Sequence, residues 1–214
     1  MSYDLSDAAA DEFYDSIDRE LYPEHKTQAI GEFTAERLRS FYVANPCVMR
    51  PAVDAIQEGK RLNKAGHYSA ALVFFVTAIE VLLKATVLKP VVHGLVHSAA
   101  LADVIVEQAL GQSGFVRYTK LLSKLYTEFA VLDINLITRE GAEQNLLTEC
   151  TTLQGVRNKI IHQGASCASE QAALGLEVAD AVCQRIVFPV LEALGLSVVE
   201  QGTNEEGTIK PKDF

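Results

Sequence analysis

The run RNKIIH, Arg157 to His162, sets an arginine, an amide and an imidazole within six residues, just ahead of Gly164. Arginine stays cationic and grips phosphate with a fork of donors. Histidine takes or gives a proton near neutral pH. Asparagine carries both a donor and an acceptor, so it can hold either neighbour in orientation. Together they form a workable toolkit for cleaving RNA without a metal.

These residues must be positioned by a helix. Leu146, Cys150, Leu153 and Ile160 follow helical spacing and predict one core-facing stripe on a helix that starts near Ala142 and stops at Gly164. Arg157 occupies the stripe position between Leu153 and Ile160. A charge there requires a partner or a water-filled cleft, so it reads either as a structural salt bridge or as a cleft arginine awaiting phosphate. Gly155, Asn158 and His162 share another face. At about 100° per residue, Asn158 and His162 lie about 40° apart, whereas Arg157 and His162 lie about 140° apart. One straight helix cannot aim both at one small ligand. Either its last turn distorts, or the site spans two chains packed across it, which the bare Gly155 would assist.

The R-x4-H pattern with Asn directly after Arg resembles the signature of HEPN domains, and the apolar segment ending AIEVLLK is similar to that family's early core helix. The resemblance covers roughly residues 51–195, with no match for 1–45 or the tail. It implies a small all-α bundle that dimerises, with the motif helices of both chains lining one groove. It also implies a metal-independent endoribonuclease of the kind found in toxin–antitoxin and other defence systems, with RNA as substrate and an antitoxin or regulatory protein as a possible partner. Arg157 and His162 would be the catalytic pair and Asn158 the orienting residue. Glu80 would match a polar residue kept near the site, although Glu80 and Lys84 also read as an ordinary i, i+4 helix pair.

The chemistry suits the residues. The ribose 2′-OH is itself the nucleophile, so the enzyme needs proton transfer and anion stabilisation rather than a metal-bound water. His162 would move the proton and Arg157 would stabilise charge on the phosphorane, leaving a 2′,3′-cyclic phosphate and a 5′-OH. DNA, which lacks that hydroxyl, would be inert. The other readings are a HEPN-like module that binds RNA, nucleotide or a partner without turnover, and a structural bundle whose motif is coincidental.

The rest of the chain bounds these readings. Its 214 residues suffice for one domain with a real core, and its composition suits a helical protein. The spacing divides it into an acidic helical extension (1–45), a helical domain (46–196) and a flexible tail (197–214). Residues 1–36 carry a balance of −8 and 200–214 a balance of −2, leaving +1 on 37–199. Phe13, Ile17 and Leu21 give the acidic segment an apolar face. It reads as a solubilising helix, or as a segment that lies near Arg117, Lys120 and Lys124 and competes with RNA phosphate. Those three residues form a basic stripe, either a solvated face or a phosphate-tracking surface, and Lys159 is a further candidate RNA contact.

No membrane span is expected, because Glu80 and Lys84 interrupt the apolar stretch at about 2.5–3.5 kcal/mol each. Four scattered cysteines without a leader point to reduced thiols and a cytoplasmic protein. No cofactor is expected. His93 and His97 have ligand spacing, but without an HExxH arrangement no metal is expected either. Helices are predicted within 1–22, then over 27–44, 51–65, 68–88 (closed by Pro90), 99–110, 115–129, 142–163 and 168–194. Residues 90–98 and 130–141 read as loose connectors, and no strand is predicted.

Overall fold

The computed structural model describes residues 5–96, 98–110, 134–199 and 206–212. The predicted 115–129 helix with Arg117, Lys120 and Lys124 lies outside the described residues, as does His97. The side chains of Phe13, Ile17 and Leu21 are likewise outside them. The described chain is an all-α bundle with one small antiparallel hairpin. The helices are α1 (Leu5–Ala44), α2 (Arg50–Lys64), α3 (Tyr68–Leu95), α4 (Ala99–Leu110), α5 (Leu146–Gln163) and α6, which begins with Ser169–Val182. After a wider π turn, Cys183–Val187, α6 ends with Phe188–Ala193.

The apolar α3 is the hub, packed against α2, α5 and α6. Its Phe75 is fully buried between two glycines: a Cβ on Gly59 would stand 2.5 Å from Phe75 Cε1, and one on Gly175 2.7 Å from Leu72 Cδ1. Small residues on α2 and α6 thus let both helices close onto the aromatic ring. The helix is long and apolar enough to cross a membrane, yet 61% of its apolar window is buried by the fold, which suits a core helix.

Pro90 does not close α3, contrary to expectation. The helix widens into a π segment over Leu82–Leu88 and continues as Lys89–Leu95. A proline clashes with the carbonyl four residues back and offers it no N–H, and a widened turn relieves the clash. The carbonyl deprived by Pro90 is that of Thr86, and it accepts a 2.6 Å hydrogen bond from the buried hydroxyl of Tyr42 on α1. Burial holds the Tyr42 phenol well above its usual range. The π turn before Pro189 repeats the device in α6. Tyr42→Phe should cost about 1–3 kcal/mol by stranding that buried carbonyl, measured as a lower urea midpoint with an unchanged slope.

α1 is one 40-residue helix where the sequence suggested two. Pro23 withdraws one backbone donor, yet the helix runs through it rather than stopping there. Thr34, Leu38 and Tyr42 are buried at i, i+4 and i+8 and dock the C-terminal third of α1 on the end of α3. There Arg37 donates to the carbonyls of His93, Gly94 and Val96, capping α3.

Three other corrections concern element boundaries and the tail. Residues 90–95 are helical rather than loose. α5 begins at Leu146 rather than Ala142, because Asn145 caps it by accepting from Thr148 N at 2.8 Å. Its stop is the expected one: Gly164 has φ +65. Part of the tail pairs as strands where none is predicted. Strand β1 (Leu196–Val198) pairs with β2 (Ile209–Pro211), burying Leu196 and Ile209, and Ile209 N donates to Pro46 O at 2.8 Å. Three-residue strands are too short to show alternation in sequence.

Candidate functional site

α5 presents two different faces near its C-terminal end. Leu146, Leu147, Cys150 and Leu153 are buried and fix the helix against α3. Burial, with the nearby Glu149 carboxylate, pushes the Cys150 thiol far up, so it is no nucleophile. At the next turn the inward position is Arg157, and it finds Glu80 on α3. Arg157 Nη2 donates to both carboxylate oxygens of Glu80 at 2.9 Å, with side-chain exposures of 21% and 16%. Gln154, one turn earlier, donates to Glu80 Oε1 at 2.6 Å. Arg157 Nη1 donates to Asn158 Oδ1 at 2.9 Å.

The ion pair therefore joins two helices, and the arginine also orients the asparagine beside it. Among the described residues, Arg157 Nε is buried with no hydrogen-bond partner. The guanidinium keeps donors uncommitted on Nε and Nη1.

The other face is open. Gly155, Asn158, Lys159, Ile161 and His162 are all exposed, and a Cβ on Gly155 would meet nothing within 4 Å. α5 is regular α-helix through Gln163. The option of a distorted last turn is therefore not realised, and the wide separation of Arg157 from His162 persists within one chain. The structure brings Arg157, Asn158 and Glu80 together but not His162.

Sequence reasoning placed Glu80 near the motif without identifying Arg157 as its charged partner. It missed Gln154, although the i, i+3 spacing of Gln154 and Arg157 puts both on one face. Comparison of the chain with family models, with curated proteins and with solved structures gives no match.

Other candidates divide more simply. Among the described residues, no three His, Cys, Asp or Glu side chains converge as a metal site. His93 Nε2 stands 3.2 Å from Asp103 Oδ1 without hydrogen-bond geometry, and its ring packs 5.0 Å from Phe41. Cys47, Cys150, Cys167 and Cys183 are free thiols.

Proposed function

We propose that the chain is a metal-independent endoribonuclease of the HEPN type, with a composite site formed where two copies meet along α5. The observation that carries this reading is the hydrogen bond from Arg157 to Asn158 beside an uncovered face bearing Gly155 and His162. A C₂ contact across that face brings two motifs to one axis, so the arginine of one copy and the histidine of the other can address one phosphate. Lys159, exposed in the same turn, adds charge for the RNA backbone. By its resemblance the protein is toxin-like or defence-related, with an antitoxin or regulatory protein as its restraint. Incubation with total RNA in EDTA tests the reading: cleavage should persist and leave 2′,3′-cyclic phosphate and 5′-OH ends. Loss of cleavage on chelation, or 3′-OH ends, would overturn it.

A second reading has its own support. Both oxygens of Glu80 engage Arg157, an arrangement suited to a strut between α3 and α5 in a non-catalytic RNA-binding or regulatory module.

Gly155→Leu separates dimer formation from folding. The open surroundings accept the side chain, and replacing a helical glycine stabilises by up to about 1 kcal/mol. The variant should therefore melt no lower than wild type, yet sediment as a monomer at micromolar concentration with cleavage reduced at least about tenfold. A dimer with full activity would show that α5 is not the interface.

A further inference from the structure

A cavity of about 550 Å³ lies between α2, α6 and the hairpin, and it shares no lining residue with the Glu80–Arg157 cluster. Its volume falls within the roughly 300–1,000 Å³ of small-molecule sites. Val53 and Ile56 from α2, Phe188 and Leu191 from α6, and Leu196 and Val198 from β1 give it apolar walls. Among the described residues, the charged groups facing it are Asp180, Glu192, Glu206 and Lys212. Lys212 Nζ donates to Glu192 Oε1 at 2.6 Å, and Glu206 accepts from Gln57 at 2.9 Å. Asp180 is different: among the described residues its carboxylate accepts no hydrogen bond and forms no ion pair.

A half-buried carboxylate without a partner opposes folding. Burial lifts the Asp180 carboxyl above its ordinary range, opposed by the more distant charge of Lys60. Burial and Asp180 together push the neighbouring Cys183 thiol up to about 12. The cavity therefore offers an acceptor and an apolar surround but no reactive thiolate, so it is equipped for binding rather than for covalent chemistry.

We propose that this cavity binds a small organic cation, its protonated amine on Asp180 and its apolar body against Val53, Ile56 and Leu191. The carboxylate supplies the one directional, charge-matched contact, and the walls supply burial. Among the described lining residues, three carboxylates against one ammonium ion set the sign of the ligand.

Titration of the full chain with hexylamine, hexanol and hexanoate, read by calorimetry or ligand-observed NMR, tests this without reference to RNA cleavage. Hexylamine should bind saturably and at least roughly tenfold tighter than hexanol, with hexanoate weakest. Asp180→Asn should erase the preference for the amine while still binding hexanol, which also reports that the variant is folded. Equal binding of hexylamine and hexanol by the wild type would overturn the proposal. So would saturable binding of none of the three, or a preference for the amine that survives Asp180→Asn.

Discussion

His162→Ala is expected to lower RNA cleavage by about 10²–10⁴-fold, the usual contribution of a positioned proton-transfer group, while leaving the melting temperature unchanged. The imidazole stands exposed in the last turn of α5, outside the buried stripe, so its removal opens no cavity. The same exposure makes the result diagnostic. A group without packing duties inside its own chain can stop turnover only through the reaction or through the contact between copies, and sedimentation of the variant as a dimer removes the second route. Cleavage rates in EDTA, thermal melts and RNA binding should be measured on one preparation. Loss of cleavage with binding retained supports proton transfer. Wild-type cleavage by the folded variant would remove His162 from the mechanism and overturn the proposed proton transfer, whereas absence of cleavage by the wild type itself would leave the non-catalytic reading.

The helix-end position of His162 was legible in sequence because it needs only local information. Helix type was legible for the same reason. Leu146, Cys150 and Leu153 follow the period of one buried face, and Gly164 supplies the left-handed stop that ends it. The failures came where a distant contact decides. Pro90 reads as a terminator until Tyr42, 44 residues away from Thr86, satisfies the carbonyl that proline leaves open. Glu80 pairs plausibly with Lys84 when only helix spacing is considered, and only the packing of α3 on α5 brings it to Arg157 and Gln154. The hairpin escaped notice because three residues per strand carry no period, and its register depends on Ile209 meeting the α1–α2 loop.

The pair Glu80–Arg157 separates the two functional readings when each partner is changed in turn. Arg157→Ala should destabilise the fold by roughly 3 kcal/mol, because it leaves a mostly buried carboxylate with only Gln154 as its hydrogen-bond partner. It should also slow cleavage by about 10²–10³-fold if the guanidinium stabilises the phosphorane. Alone, that variant is ambiguous, since a damaged strut and a missing catalytic group both reduce turnover. Glu80→Gln resolves it. The amide still accepts from Arg157 but no longer competes electrostatically with phosphate, at a cost of about 1–2 kcal/mol. A catalytic arginine then predicts tighter RNA binding and cleavage at least as fast as wild type, whereas a strut predicts neither. Combining the two changes removes the stranded charge, so the double variant should regain much of the stability that Arg157→Ala loses. Its cleavage rate is then the decisive measurement. A double variant folded as firmly as wild type and still impaired by about 10²-fold places Arg157 in the reaction. Recovery of turnover along with stability would mean that the arginine only ties α5 to α3.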